Sequence, residues 1–285
     1  MTECELVAYD EPGRFLAAAA TFLRTSEVEN SVIVLPAERM VASPQDDDVG
    51  CYWATVSAHG VVVAAAFHAS VGGVLITSSP AWACTLIAAD IAARARTPNS
   101  VVGPLGSCEG FARAWREHTG QAHALRFHLR HFELTQPPPI FVASGSARLP
   151  RECEEERLVN WTLAFVAEIE LPEPPEHTRR RALTRIGRGQ VRIWDDAGPV
   201  AYAGYGADAS DTVRIAPVYT PPEFRGKGYA SALVADLSRE LFARGKRAIF
   251  LTTDVANPTS NSIYQRIGYR PVADHYHFSL LPATA

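Results

Sequence analysis

Residues 212–237 read TVRIAPVYTPPEFRGKGYASALVADL, and the order of residue types in this stretch decides how the rest of the chain is read. β-Branched and aromatic residues through Tyr219 predict a strand. Pro221 and Pro222 end it, because proline fixes φ and offers no N–H. Gly226 and Gly228 then open an apolar helix expected to run to about Arg244. A helix N-terminus presents unpaired N–H groups and the positive end of the helix dipole, and glycines in front of it let a ligand approach the backbone closely. Arg225 and Lys227 add positive charge, so the turn is built to hold an anion such as a phosphate.

Two common nucleotide motifs do not account for it. A P-loop needs GxxxxGK followed by Ser or Thr, whereas Gly228 follows Lys227 here and TPPEF precedes the turn. A dinucleotide fingerprint needs a third glycine, and GKGYAS supplies Ala230 and Ser231 instead.

The whole chain sets wider bounds. Its 285 residues are long for one domain and comfortable for two. With 47% hydrophobic and 20% charged residues it has the composition of a globular protein. A net charge of -4 argues against a general nucleic-acid binder, and the run Arg179, Arg180, Arg181 reads as a solvated helix face. Five cysteines (Cys4, Cys51, Cys84, Cys108, Cys153) show no CxxC spacing, so neither a metal framework nor a disulfide scaffold is expected. The N-terminus lacks a signal-peptide pattern and no apolar run reaches membrane length, so a cytoplasmic protein without membrane or nucleic-acid partners is expected.

The clearest seam is QPPPIFVASGSARLP, 136–150, where three prolines exclude helix. We place the boundary there, giving domains over 1–140 and 141–285. Downstream, periodicity predicts a strand near 144–149, helices over 152–168 and 177–188, and strands at 190–195, 199–206 and 212–219. The glycine-turn helix, a strand at 248–254, a helix over 258–267 and closing strands near 270–281 follow. Upstream, the same order can be traced: helices in 15–23 and 28–40, strands at 51–58, 61–69 and 73–79, a helix over 81–95, a strand at 101–103, a helix over 106–118 and a strand at 124–134. After VLITSS, however, the chain enters PAWACTLIAADIAA without a glycine turn. The fold class expected is α/β (α+β), two similar domains, each a mixed, mostly antiparallel sheet flanked by helices.

RGKGYA, residues 225–230, resembles the Q/R-x-x-G-x-G/A signature of the GNAT superfamily of acyl-CoA N-acyltransferases. NPTSNSIYQRIGY, 257–269, is similar to that family's second signature through Asn257, Tyr264, Gly268 and Tyr269. The layout resembles tandem members with a degenerate N-terminal unit and an active C-terminal one.

The resemblance implies acetyl-CoA as co-substrate, no metal, and direct transfer of the acetyl group to a primary amine of a small-molecule or amino-acid-like acceptor. It also implies the site. Val218, Tyr219 and Thr220 would flank the pantetheine arm, and Arg225, Gly226, Lys227, Gly228, Tyr229, Ala230 and Ser231 would hold the pyrophosphate. Asn257 and Asn261 would bind the pantetheine side. Tyr264 would be the general acid, with a core aromatic as its bland alternative. Where some relatives carry a base on the strand, this sequence has Arg214 and Ala216, so Asp254 and Glu168 are the candidate bases, each also readable as a cap or turn residue. Tyr219 is either acceptor-facing or packed, and His275 and His277 share one strand face that is a candidate acceptor wall. Two rival readings stay open: a non-catalytic CoA-binding regulatory module, and transfer of another acyl group or to a protein amine.

Overall fold

In a computed structural model, which describes residues 4–42, 50–70, 72–170, 173–206 and 211–282, one order of elements occurs twice. The first set is β1 (Cys4–Tyr9), α1 (Pro12–Arg24), α2 (Glu27–Ala42), β2 (Tyr52–Ala58), β3 (Val61–His68), β4 (Val74–Ile76), α3 (Ala81–Ala93), β5 (Ser100–Gly103), α4 (Leu105–Thr119) and β6 (His123–Leu134). The second is β7 (Ser146–Arg148), α5 (Glu155–Glu168), α6 (Pro175–Gly187), β8 (Val191–Asp195), β9 (Pro199–Tyr205), β10 (Thr212–Tyr219), α7 (Tyr229–Ala243), β11 (Ala248–Asp254), α8 (Pro258–Ile267) and β12 (Arg270–Leu280).

Pairing repeats as well. β1–β2, β2–β3 and β3–β4 are antiparallel and β4–β5 is parallel. β7–β8, β8–β9 and β9–β10 are likewise antiparallel and β10–β11 is parallel. The expected mixed, mostly antiparallel sheets with flanking helices are therefore present in both sets.

Two features were not legible in the residues. β1 was not anticipated: CELVAY is exposed or half-buried throughout, and its extended form is set by pairing along β2 from Cys4–Ala58 to Tyr9–Trp53. A partly exposed strand carries no strong alternation of its own.

The other is the destination of β12. Tyr276, His277, Phe278 and Ser279 pair with Gly103, Val102, Val101 and Ser100 of β5, in the sheet of the first set. Asp274 there accepts hydrogen bonds from Arg130 Nε and Nη2, both at 2.8 Å, and lies 3.0 Å from His128 Nε2 on β6. The chain accordingly divides into a first unit, ending at His131 but including Thr252–Asn257 and the residues from Val272 on, and a second unit of Phe132–Leu251 and Pro258–Pro271. This differs from the linear boundary expected at 140. The proline seam is local chemistry, whereas a returning strand is a long-range pairing that no local pattern encodes.

Within the second unit, helices cover both sheet faces. Val213, Ile215, Ile249 and Leu251 pack with Leu233, Leu237 and Leu241 of α7. Leu158, Val191, Ile193, Tyr202 and Tyr219 form a second cluster, against which Trp161 and Phe165 of α5 and Ile186 of α6 pack. α7 is nearly all apolar on its inner side, and its buried Ser238 is satisfied by the Val234 carbonyl (2.7 Å) and the Tyr269 hydroxyl (2.9 Å). At the entry to α5, Arg148 holds Glu154 at 2.6 Å and also pairs with Asp195. No helix among the described residues is long and apolar enough to cross a membrane.

Two stability outcomes follow from this packing. A Cβ at Gly103 would stand 2.3 Å from the Ile76 carbonyl oxygen, whereas one at Gly106 meets nothing within 4 Å. Gly103→Ala should therefore cost about 1–3 kcal/mol in denaturant unfolding. Gly106→Ala should be neutral or slightly stabilising; equal effects would contradict the packing.

The second concerns acid. The Arg148 guanidinium, then the Arg151 N–H, draw the Glu154 carboxyl from its ordinary 4.5 down to about 2. A carboxylate with a depressed folded pKa contributes stability that is present above 4.5 and is lost as pH falls toward 2. Hydrogen exchange at 146–155 should accelerate across that window, and Arg148→Met should flatten the dependence.

Candidate active site

β10 carries one more residue than its partner. Ile215 pairs with Tyr205, but Val218 pairs with Ala203, so a bulge lies between them. An extra residue reverses which side chains face which way. Before the bulge Val213 and Ile215 face α7; after it Val218 packs on that same side, while Tyr219 turns to the cluster under α5 and α6. On its other edge β10 pairs with β11 only at Thr212–Ala248, Val213–Ile249 and Arg214–Phe250. Among the described residues the rest of β10 is paired to β9 alone, which leaves backbone groups of its second half open on the β11 side.

The strand leads into the glycine turn through a 3₁₀ turn at Pro222–Phe224. Gly226 and Gly228 have φ of 79° and 82°, and a Cβ at either would meet nothing within 4 Å. Glycine is therefore needed there for the left-handed backbone, and the space above it is open. Gly228 is the N-cap of α7, and the first intrahelical bond runs from Ala232 N–H to the Gly228 carbonyl at 3.0 Å. The amides of Tyr229, Ala230 and Ser231 have no intrahelical acceptor, as at any helix start. Lys227 is exposed, with its Nζ 5.8 Å from the centre of the Phe224 ring.

Several side chains assigned to this site turn out to be engaged elsewhere. The Tyr229 ring is buried, and its hydroxyl donates to Asp196, which also accepts from Ser144 at 2.6 Å. Ser231 is buried, so from both residues only the backbone faces the turn. Arg225 Nη2 bridges both oxygens of Glu168 (2.7 and 2.8 Å), and its Nε donates to the Thr220 carbonyl at 2.9 Å.

Glu168, expected as a candidate base, is thus an ion-pair partner that aligns Arg225. The Tyr219 hydroxyl also points at Glu168 at 3.5 Å, and the ring packs 6.4 Å from Trp161, which resolves Tyr219 as packed. Thr220 Oγ1 is buried and has no partner among the described residues. Nothing in the sequence marks the Glu168–Arg225 pair, because its members are far apart in the chain.

Tyr264 sits on α8, half-buried, with its ring 6.4 Å from Phe132 and 6.0 Å from Tyr269. Burial pushes its phenol up to about 12. It is therefore both a packed aromatic and a protonated hydroxyl. Asn261 lies one turn earlier on α8. Asp254 and Asn257 lie in the 252–257 segment of the first unit: Asp254 Oδ1 accepts from Ala256 N–H at 2.8 Å and its carbonyl from Asn257 N–H at 3.0 Å. Asp254 is thus a turn residue. His275 and His277 also belong to the first unit, His275 edge-on to His131 with ring centres 4.4 Å apart.

The corresponding stretch of the first set is closed. Four residues, Thr77 to Pro80, join β4 to α3, and none is glycine. Thr77 Oγ1 accepts from Ala65 N–H at 2.9 Å, and Ser79 N–H donates to Ser107 Oγ at 2.9 Å.

A sequence model of the acetyltransferase (GNAT) family matches residues 155–269. Among curated proteins none matches the sequence. In fold the chain is similar to a GCN5-related N-acetyltransferase from Sphaerobacter thermophilus, with a TM-score of 0.63, 18% identity and 98% of each chain covered. A GNAT-family acetyltransferase from Colwellia psychrerythraea gives a TM-score of 0.61 at 9% identity, over 98% of this chain and 100% of that one. A tandem GNAT protein from the clavulanic acid biosynthesis pathway gives 0.59 at 16% identity, over 99% of both. The family match begins with α5 and ends at Tyr269, so it contains the bulged strand, the glycine turn and the tyrosine helix. Residues 155–269 are therefore a domain of the acetyltransferase (GNAT) family of acyl-CoA N-acyltransferases, in a chain whose fold is similar to that of a tandem GNAT protein.

Proposed function

We propose that this protein is an acetyl-CoA-dependent N-acetyltransferase that passes the acetyl group directly to a primary amine of a small-molecule or amino-acid-like acceptor. The observation that carries the reading is the continuous path from the half-unpaired, bulged β10 into the two-glycine turn at the start of α7. A thioester supplies the activated acyl group. Open backbone on β10 suits an extended amide-bearing arm, in the manner of an added strand. The turn from Arg225 to Ser231 suits a pyrophosphate, through the first amides of α7 and the helix dipole.

The buried, unpartnered Thr220 hydroxyl and the open space over Gly226 and Gly228 both fit such an occupant. Val218 and Thr220 would hold the arm. Arg225, oriented by Glu168, and Lys227 would add charge at the rim. Asn261 and Tyr264 would face the reaction from α8. The reading rests on residues of the second unit alone.

Tyr264 keeps its proton at neutral pH, since burial raises its pKa. A phenol less acidic than a thiol of reference pKa ~8.5 acts as a hydrogen-bond donor to the departing sulfur as negative charge builds there. The C–S bond breaks as the C–N bond forms, and the proton lost by the acylated nitrogen neutralises the thiolate, so the phenol ends the step protonated. The strand supplies no carboxylate or imidazole base, and Glu168 is bridged by Arg225. In this reading the acceptor enters as the neutral amine. That engagement of Glu168 also favours the second reading, a CoA-binding module without turnover. The first unit, lacking a glycine turn after β4, is read as a degenerate partner that does not hold CoA in this manner.

Thiol release from acetyl-CoA over a broad amine panel, beside a CoA thermal-shift titration, separates the two readings. Acceptor-dependent release supports the transferase; stabilisation without release supports the module. Tyr264→Phe should lower kcat by about 10²–10³-fold, the range for loss of one transition-state donor, with little change in CoA affinity. Unchanged turnover would remove Tyr264 as that donor. Gly228→Val forces a β-branched residue into the left-handed region and fills the turn, so it should abolish the CoA-induced shift. A persisting shift would sink the pyrophosphate assignment.

A further inference from the structure

Three guanidiniums converge on the α5 and α6 side of β9 and β10. Arg185, from α6, runs over Gly204 of β9. A Cβ at Gly204 would lie 2.6 Å from Arg185 Cδ, 3.2 Å from its Nε and 3.2 Å from the Ala216 carbonyl oxygen. Gly204 is thus the gap that admits Arg185 beside the bulge of β10. Arg185 Nε has a long contact of 3.3 Å to the Tyr205 carbonyl.

Arg214 alternates with Val213 and Ile215, which face α7, and so projects to the same side as Arg185. Its Nε is buried and has no hydrogen-bond partner among the described residues. Arg181, one turn before Arg185 on α6, pairs with Glu173 at 2.9 Å, and its own Nε is buried without a partner. The basic run 179–181 is therefore only in part a solvated face: Arg179 pairs with Glu156 outside, while Arg181 joins this cluster.

The carboxylate of the cluster is Glu173, which is paired with Arg181 and whose charge also reaches Arg185; among the described residues neither Arg185 nor Arg214 forms an ion pair of its own. Burial, then repulsion from Arg181, pushes Arg185 down to about 10 and lowers Arg214 too. Three guanidiniums thus share one carboxylate; cations drawn out of water with too little counter-charge are costly, and an anion supplied from outside removes that cost. Two guanidinium forks at one place suit a flat or tetrahedral oxyanion. The Tyr202 and Tyr219 rings, their centres 6.0 and 6.4 Å from that of Trp161, stand on the same side.

We infer that the acceptor amine carries an oxyanion, a carboxylate or a phosphate, held by Arg185 and Arg214 beside the bulge of β10. This rests on the transferase reading. It makes the two arginines acceptor-binding residues that set specificity.

The test uses the full chain, acetyl-CoA and matched amine pairs: amino acids against their amides, O-phosphoethanolamine against ethanolamine, and glucosamine 6-phosphate against glucosamine. Calorimetry with the N-acetylated products of each pair, CoA being present, reads binding independently of turnover. An oxyanion-bearing member should exceed its neutral partner by roughly tenfold or more in kcat/KM, and the arm that does so tells carboxylate from phosphate. Arg214→Met and Arg185→Met should raise KM for that acceptor and erase the preference while the CoA thermal shift stays. Arg214→Lys should restore part of it.

Unliganded Arg214→Met should melt no lower than the parent, whereas an arginine with a purely structural role would lower it. Equal use of both members of every pair, or a preference that survives both variants, overturns the inference and leaves the transferase reading intact. Arg214-dependent binding of oxyanions with no turnover keeps the anion site and removes that reading. Neither turnover nor oxyanion binding overturns the inference. Should a variant fail to fold, the matched pairs on the parent chain still decide.

Discussion

One extra residue in β10 sets the geometry on which the second unit's site depends. Without it, alternation would carry Val218 to the α5 and α6 face and Tyr219 to the α7 face. With it, Val218 joins the cluster under α7, and Tyr219 joins Trp161 and Tyr202. Pairing with β11 stops at Arg214–Phe250, just before the bulge. Parallel pairing would otherwise consume the backbone groups that the second half of β10 leaves open. The strand is regular where it supports the core and irregular where a ligand would need its backbone.

The glycine turn depends on that strand for its direction and on two side-chain anchors for its shape. Tyr229 is tied to Asp196, which also holds Ser144, so the first residue of α7 is fixed to the β8–β9 turn. Arg225 is held between Glu168 and the Thr220 carbonyl. Exposed ion pairs of this kind add little stability. Their effect is positional: a long cationic side chain at the rim of an anion site is more useful when its direction is already chosen.

Much of this was readable in the residues, and what was not has a physical reason. Proline, glycine and period gave the helices, most strands and the turn because those signals act within a few residues. β1 escaped because its state is imposed by β2, and the place of β12 escaped because strand return depends on distant partners. In the candidate site, the backbone conformation of the turn was legible and the side-chain contacts were not. The glycines marked a left-handed turn with open space above it, but no spacing told that Glu168 meets Arg225 or that Tyr229 turns inward. Gly204, inside the apolar strand PVAYAGY, was the one overlooked signal, since an interior strand glycine marks the close approach of something, here Arg185.

The return of β12 to β5 also bears on how the chain acquires its structure as it leaves the ribosome. β5 precedes the whole second set of elements, yet its antiparallel neighbour follows that set. Domains usually fold as units, the N-terminal one first, during synthesis. Here the first unit keeps an unpaired strand edge exposed until β12 emerges, so its sheet is completed after the glycine turn and α7 have been made. For that interval the edge of β5 is a template for any extended segment nearby, and in chain order the second set of elements comes between that edge and β12, the strand that pairs with it.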